Sequence, residues 1–180
     1  LSLNLTAFIE GFYDPVKNNM ISDTVRIYLK NASSPFINID SSKGLLSSSG
    51  AGNFLFLNAM NGVSYYLVVK HRNSIEIWSS VPITFITGSS SYTFADLQSQ
   101  AYGNNIIQVD NSPVQYANYS GDVNQDGTID AADLSIIENN VANSVTGYVD
   151  SDLTGDDFVD GSDLSLVENN AAQGVSVVSP

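Results

Sequence analysis

The last third of this 180-residue chain contains the same acidic segment twice, at a spacing of 30 residues. The first copy starts at Asp122 and reads DVNQDGTIDAADL, and the second starts at Asp152 and reads DLTGDDFVDGSDL. Self-similarity at a fixed period indicates two copies of one supersecondary unit. Any fold of this chain must therefore hold two loops of alternating carboxylates close together in sequence.

Oxygen-bearing residues recur in each copy at the spacing of a calcium-binding loop. Calcium takes roughly six to eight oxygen ligands, and a loop of about 12 residues supplies them from positions 1, 3, 5, 7, 9 and 12. Position 7 contributes its main-chain carbonyl, and position 9 often acts through water. We therefore expect two calcium ions. The candidate metal ligands are Asp122, Asn124, Asp126, Thr128, Asp130 and Asp133 in the first loop, and Asp152, Thr154, Asp156, Phe158, Asp160 and Asp163 in the second.

The two loops differ where the chain must turn sharply. The first has Gly127 at position 6, whereas the second has Asp157 there and Thr154 in place of an amide at position 3. Aspartate adopts the left-handed conformation at some energetic cost. We expect the second loop to bind calcium less tightly than the first. Ile129, at position 8, is expected to point inward and tie the two loops together.

A run of helical periodicity follows each loop. Leu134, Ile137 and Val141 fall on one face of a helix, and the same spacing recurs 30 residues later. The later set comprises Leu164, Val167 and Ala171. The sequence thus predicts one amphipathic helix after each loop.

Charge divides the chain into two parts of different character. Residues 1–120 hold seven acidic and six basic residues, for a net charge of −1, whereas residues 121–180 hold twelve acidic residues and no base. Two calcium ions would reduce the second charge from −12 to −8, so metal binding should contribute to the folding free energy. The overall charge of −13 argues against nucleic acid and anionic lipid as partners.

The first part has the pattern of an antiparallel β-sandwich of immunoglobulin-like or transthyretin-like type. Short runs rich in β-branched and aromatic residues alternate with turn residues, and no alternation of strands with helices occurs. We place the domain boundary between residues 118 and 119, so that a β-sandwich domain spans 1–118 and a calcium-binding domain spans 119–180. The predicted strands are 1–7, 24–30, 36–40, 54–57, 63–70, 75–79, 83–87, 106–110 and 114–119.

Residues 119–175 resemble a type I dockerin: a calcium loop followed by one helix, occurring twice, with aspartate at position 12 of each loop. The resemblance implies a compact pair of calcium loop–helix units that folds on metal binding and docks into a partner protein, usually a cohesin. Many dockerins contact cohesin through a Ser-Thr pair at positions 10 and 11, where this chain has Ala131-Ala132 and Gly161-Ser162. Basic residues farther along each family helix are also replaced, by Glu138-Asn139 and Glu168-Asn169. A β-domain followed by such a unit is also similar to C-terminal regions of secreted bacterial proteins.

No catalytic constellation stands out, so we expect no enzymatic activity and no catalytic or organic-cofactor site. The only histidine, His71, is expected at a polar hairpin tip, and neither a nucleophile elbow nor a zinc-protease motif occurs. Glu10 and Glu76 are the only glutamates before residue 120, which gives little support to glycoside hydrolysis.

Three further features leave alternatives open. Aromatic side chains could form a sugar-binding platform, although strand alternation would bury about half of them. Acidic side chains near turns could hold a further calcium ion, or simply be solvated. The aromatic candidates are Trp78, Tyr65, Tyr66 and Tyr92, and the acidic ones are Asp14, Asp23 and Asp110.

Both ends of the chain have strand character. Residues 1–9 and the apolar tail 175–178 either pair within their own subunit or add a strand to a neighbour's sheet, and a head-to-tail contact that does not close gives a filament. No apolar run is long enough to span a membrane. Since the chain starts at Leu1, we expect a secreted or cell-surface protein whose signal peptide has been removed.

We therefore expect a secreted, calcium-binding structural protein that acts in protein–protein assembly. The leading hypothesis is self-assembly of identical copies into an extracellular fibre or surface layer. Docking to a cohesin-like receptor is the second, and a carbohydrate-binding module with a calcium-stabilised appendage is the third.

Overall fold

The computed structural model describes residues 1–180 and contains twelve strands and two α-helices. The strands are β1 (Ser2–Thr6), β2 (Tyr13–Asp14), β3 (Asn19–Met20), β4 (Asp23–Asn31), β5 (Asn38–Leu46), β6 (Ala51–Leu55), β7 (Ser64–His71), β8 (Ser74–Trp78), β9 (Ile83–Thr84), β10 (Ser89–Thr93), β11 (Ile107–Asn111) and β12 (Val114–Ala117), and the helices are α1 (Ala131–Ala142) and α2 (Gly161–Ala172). We call residues 1–118 the β region and residues 119–180 the repeat region.

Two main sheets form the β region, beside two small two-stranded sheets, β2-β3 and β11-β12. One has the order β10-β1-β6, with β1 parallel to β10 and antiparallel to β6, and the other has the order β5-β4-β7-β8, with β9 beside β7. Side chains alternate along β1 and β4, so that Leu3 and Ile27 are fully buried while their chain neighbours are more exposed. On β7 the alternation is interrupted, since Leu67, Val68 and Val69 are all fully buried. Burial of each such side chain contributes roughly 1.5–3 kcal/mol. The predicted β-sandwich followed by a small helical region is confirmed.

The strand predictions miss β10, β2 and β3. The sequence of β10 is Ser-Ser-Ser-Tyr-Thr, which carries no apolar alternation, and it forms a strand because β1 offers it a free edge. The two-residue strands β2 and β3 are too short to show a period. Phe36 was expected inside a strand, but β5 begins at Asn38 and Phe36 has a φ of +51°.

Both ends of the chain are paired within the chain, which is the alternative to strand exchange. β1 lies in the middle of its sheet, with β6 on one side and β10 on the other. Val175 accepts a hydrogen bond from the Ile129 N–H at 2.9 Å, and Val177 donates to the Gly127 carbonyl at 2.9 Å. The N-terminal strand is thus paired on both sides, whereas the tail is paired on the side of the first loop.

The helices follow the loops as predicted, and the two repeats interlock. Asp130 and Asp160 cap the starts of α1 and α2, and Ile137 and Val167 are fully buried between them. The segment after α2 pairs with the first loop, where the Val175 carbonyl accepts the Ile129 N–H. The segment after α1 pairs with the second loop in the same way, since the Val145 carbonyl accepts a hydrogen bond from the Val159 N–H at 3.0 Å. The C-terminal tail is thus the last element of the second repeat.

The apolar core continues from the β region into the repeat region. Gly11 packs so closely against Leu153 that a methyl group at this position would overlap the Leu153 carbonyl oxygen. Gly155, which has a φ of +74°, lies under the ring of Phe12. The close backbone approach fixes how the calcium-loop candidates sit against the sandwich.

Candidate metal centre

Asp122 is the least satisfied side chain of the first loop. It is 2% exposed, and its Oδ1 atom is buried without any hydrogen-bond partner. Burial, together with the nearby carboxylates of Asp133 and Asp126, raises the pKa of Asp122 to about 6. A buried, unpaired carboxylate oxygen beside two like charges lacks a cation.

Asp133, at position 12, closes the first loop on itself. It is fully buried, and its Oδ1 atom accepts hydrogen bonds from the N–H groups of Val123 at 2.9 Å and Asn124 at 3.1 Å. Its Oδ2 atom accepts from the N–H of Asp130 at 3.1 Å. The two ends of the loop are therefore joined before any metal is considered.

The remaining candidate ligands of the first loop lie at the surface. The Asp126 carboxylate accepts hydrogen bonds from the Asn124 side-chain amide at 2.8 Å and from the Thr128 N–H at 3.0 Å, and Asp130 accepts from the Ala132 N–H at 2.7 Å. These oxygens turn toward nearby N–H groups, and no three acidic side chains converge on one point. The structure thus brings the predicted residues of the first loop together, with Asp122 and Asp133 buried and the others at its surface.

The second loop repeats this geometry with one difference. Asp163 accepts hydrogen bonds from the N–H groups of Leu153 at 2.7 Å and Thr154 at 2.9 Å, as Asp133 does in the first loop, and burial raises the pKa of Asp163. Asp152, by contrast with Asp122, has both oxygens bonded, to the N–H groups of Gly155 and Asp157. The first loop therefore has the greater electrostatic need for a cation.

The outer oxygens of the second loop follow those of the first. Asp156 accepts a hydrogen bond from the Phe158 N–H at 3.0 Å, and Asp160 accepts from the Ser162 N–H at 2.7 Å. Asp157 has a φ of +69° and Gly127 a φ of +90°, so both loops turn in the left-handed region at position 6, as expected. The donor set of both loops is oxygen alone, which suits calcium, and the unpartnered Asp122 oxygen fits a cation at that position.

A buried polar cluster joins the second loop to the β region. Asp23 Oδ2 lies 3.1 Å from Nε2 of His71 and 3.0 Å from Nε of Arg72, and Asp23 Oδ1 accepts a hydrogen bond from the Tyr148 hydroxyl at 2.7 Å. The Arg72 guanidinium also donates to the Val149 carbonyl and lies 3.7 Å from Asp152. These contacts lower the pKa of Asp23, although burial acts in the opposite direction.

Asp23 is buried and not a solvated turn residue, and His71 lies at the expected turn but is buried. His71 is 2% exposed, because the repeat region packs over the β7–β8 turn. Burial lowers the pKa of His71 despite the neighbouring Asp23. Asp23 is held in this cluster, Asp14 pairs with Lys17 at 2.6 Å, and Asp110 accepts from the Tyr13 hydroxyl at 3.1 Å. The three acidic residues are thus each bonded to other groups of the protein.

Glu10 makes a second polar contact between the two regions. Its Oε2 atom accepts hydrogen bonds from the Ser120 N–H at 2.9 Å and from the Asn170 side-chain amide at 2.6 Å. Burial raises the pKa of Glu10, and these two hydrogen bonds partly offset the rise. Asn170 belongs to α2, so this carboxylate anchors the second repeat to the sandwich.

The four aromatic candidates do not form a flat sugar platform. Tyr65 and Trp78 are buried, and the Tyr92 hydroxyl is bonded within the fold to the Gln100 carbonyl at 2.6 Å. Tyr66 meets Trp78 edge to face, with ring centroids 6.1 Å apart. The prediction that strand alternation buries about half of these rings is confirmed.

Comparison with known proteins supports the predicted organisation. Residues 120–171 match the sequence profile of the dockerin type I domain family. Two solved structures of a type II cohesin–X–dockerin complex from Acetivibrio cellulolyticus each contain a chain of similar fold. The C-terminal interface mutant of that complex aligns with a TM-score of 0.53 and 12% identity, and the N-terminal interface mutant with a TM-score of 0.50 and 10% identity.

Each alignment covers 96% of this chain and 98% of the other. No curated protein is significantly similar in sequence. The chain therefore carries a dockerin-like segment behind a β-rich region, in an arrangement that solved structures share over nearly its whole length. Neither helix is long enough to cross a membrane, since each has 12 residues.

Proposed function

We propose that this chain is a secreted, non-catalytic docking module that binds a cohesin-like protein when calcium fills its two loops. The observation that carries the proposal is the pair of interlocked loop–helix units, in which a buried Asp122 oxygen lacks a partner. The match of residues 120–171 to dockerin type I domains supports the same function. In this proposal residues 1–118 and 119–180 are two domains that act as one packed unit.

Calcium would balance the negative charge of the first loop, which contains no basic side chain. Asp122 and Asp133 are the buried carboxylates that would hold the ion from the protein side, and Asp152 and Asp163 are their counterparts in the second loop. The exposed candidates would turn from main-chain N–H groups toward the ion. These are Asn124, Asp126, the Thr128 carbonyl and Asp130 in the first loop, and Thr154, Asp156, the Phe158 carbonyl and Asp160 in the second.

The partner would dock on the outer face of α1. Small residues at its start, Ala131 and Ala132, are exposed, and Ile136 is 39% exposed farther along. The equivalent of Ile136 in α2 is Leu166, which is less exposed because it packs against Gly11 of the β region. The β region thus breaks the equivalence of the two repeats and leaves α1 as the freer helix.

This face lacks the Ser-Thr pair and the basic residues that many dockerins present. An apolar and small-residue contact surface, rather than hydrogen bonds and ion pairs, would then carry the affinity. Self-assembly by strand exchange has less support, because both ends of the chain pair within the chain.

Surface plasmon resonance against immobilised type I and type II cohesins tests the proposal, because the family profile is type I and the similar structures are type II. We expect binding in millimolar calcium and none in EDTA. Ala132→Arg should weaken binding at least tenfold, whereas Ser162→Arg, the matched change in α2, should have a smaller effect. Equal losses in the two variants, or no binding to either cohesin type, would contradict the proposal.

A further inference from the structure

Three of the six basic side chains stand side by side on the outer face of the sheet β5-β4-β7-β8. Arg26 on β4 is the direct cross-strand partner of Lys43 on β5 and of Lys70 on β7. All three face away from the core, since Val25 and Ile27 beside Arg26 are buried. Like charges directly opposite one another destabilise a sheet. Fold stability therefore does not account for this row in a chain with so few bases.

The positive charge of the row is largely uncompensated. Arg26 and Lys43 form no ion pair, and the nearest acceptor to the Arg26 guanidinium is the Ser41 hydroxyl at 3.5 Å. Lys70 lies 3.4 Å from Glu76 and also interacts with the negative charge of Asp122. Lysine on an edge strand can prevent pairing with another molecule, and β5 is an edge strand of this sheet. The row also includes β4 and β7, which are interior strands, so protection of the edge does not explain it. A surface of this kind attracts an anion.

A cavity of about 300 Å³ lies over one end of this row, where the β region meets the repeat region. Its volume is at the lower end of the range, roughly 300–1,000 Å³, of small-molecule sites. The ring of Tyr148 forms one wall and is 66% exposed. Arg26, Lys43, Lys70 and Arg72 also line the cavity.

Tyr148 is held in place although it is exposed. Its hydroxyl donates to Asp23 at 2.7 Å, and the Arg72 guanidinium covers its ring at 4.4 Å from the centroid. Arg72 is itself neutralised by Asp23 and Asp152, so it serves as support and adds little to the anion field. A fixed aromatic ring with free surface is suited to stacking against the C–H face of a sugar.

We propose that this cavity binds a carboxylate-bearing saccharide of the uronic acid type, stacked on Tyr148 and paired with Arg26, Lys43 and Lys70. The exposed ring of Tyr148 favours a sugar, which can stack on it, over an acidic peptide. Nucleic acid binding requires repeated phosphate contacts, and a row of three basic side chains is too short to provide them. None of the residues that line the cavity belongs to α1. It is therefore independent of cohesin docking, and either proposal can fail without the other.

Calorimetry on the calcium-loaded chain tests this proposal with two probes, trigalacturonate and a hyaluronan tetrasaccharide. The fully methyl-esterified trigalacturonate keeps the sugar backbone without charge and serves as the matched ligand control. We expect at least one acidic probe to bind at least tenfold more tightly than the ester, and its affinity to fall as salt is raised. Equal binding of acid and ester, or no binding of either acidic probe, would overturn the proposal.

Variants locate the site. Arg26→Gln and Lys43→Gln should each weaken binding about fivefold, the upper end of what a single exposed charge pair contributes. Tyr148→Ala should weaken binding more than Tyr148→Phe, which keeps the ring. Lys17→Gln removes one exposed charge that does not line the cavity and should leave the affinity unchanged. An equal loss with Lys17→Gln, or Arg26-dependent binding of poly-glutamate in place of the saccharides, would contradict the assignment.

Discussion

The Nε2 atom of His71 lies 3.1 Å from the Oδ2 atom of Asp23, and both side chains are buried where the β region meets the repeat region. The polar contact links strands β7 and β4 and, through Tyr148 and Arg72, the second loop. Its titration should therefore be visible in the stability of the whole chain.

Acidification should destabilise the folded chain through His71. Burial lowers the pKa of His71 in the folded chain below its ordinary value of 6.5. As the pH falls through 6.5, the unfolded chain therefore binds a proton at His71 and the folded chain does not, so the free energy of unfolding decreases. Asp23, whose pKa is lowered, adds a loss only as the pH falls below about 4. Urea unfolding at pH 7.5 and 5.5 measures the first effect.

That experiment must be done in saturating calcium. In the calcium-free chain the raised pKa of Asp122 makes the free energy of unfolding rise as the pH falls, which would oppose the effect of His71. The control is His71→Gln, which has no ionisable ring. Its free energy of unfolding should depend less on pH than that of the wild type between 7.5 and 5.5. The same dependence in both proteins would show that His71 is not responsible.

Asp122→Asn should have opposite effects on the two states of the chain. In EDTA it should raise the free energy of unfolding by about 1 kcal/mol, because a buried unpaired charge is removed without a change in shape. In calcium it should weaken binding at the first loop at least tenfold, because a charged ligand is lost. Calorimetric titration and chemical unfolding measure the two effects. Both oxygens of Asp152 already accept hydrogen bonds. Asp152→Asn should therefore raise the free energy of unfolding in EDTA by less than Asp122→Asn does.

Gly11→Ala should loosen the contact between the two regions. The added methyl group would overlap the Leu153 carbonyl, and overpacking of this kind costs roughly 1–3 kcal/mol. Gly161→Ala is the matched control, since its methyl group meets no atom within 4 Å and alanine suits the start of a helix. Thermal unfolding should show a loss for the first variant and none for the second.

Deletion of residues 175–180 distinguishes intramolecular pairing from strand exchange. The deletion removes the hydrogen bonds of Val175 and Val177 to the first loop, so calcium affinity at that loop should fall and the chain should remain monomeric. Deletion of residues 179–180 alone should change neither property. Analytical ultracentrifugation that shows polymers in the full chain and none after the longer deletion would restore the self-assembly hypothesis.

The repeat region could be predicted more fully than the β region. Loop positions and helix starts follow from local chemistry, because Asp130 and Asp160 act within their own repeat. The role of the tail could also have been found, since Val145 and Val175 continue the 30-residue repeat. The burial of His71 and Asp23 could not, because it depends on contacts with Tyr148, which lies 125 residues from Asp23 along the chain.

The same distinction explains the errors within the sandwich. β10 has no pattern of its own and takes its structure from the edge of β1. The row formed by Arg26, Lys43 and Lys70 arises only from cross-strand register, which spacing along the chain does not reveal. Properties set within a repeat were predictable, and those set between distant segments were not.

Native mass spectrometry of the chain mixed with a cohesin tests the central claim most directly, since it counts proteins and calcium ions in one measurement. We predict a complex of one chain with one cohesin that carries two calcium ions on this chain and dissociates in EDTA. A complex that survives the complete removal of calcium, or homo-oligomers with no cohesin bound, would contradict the account.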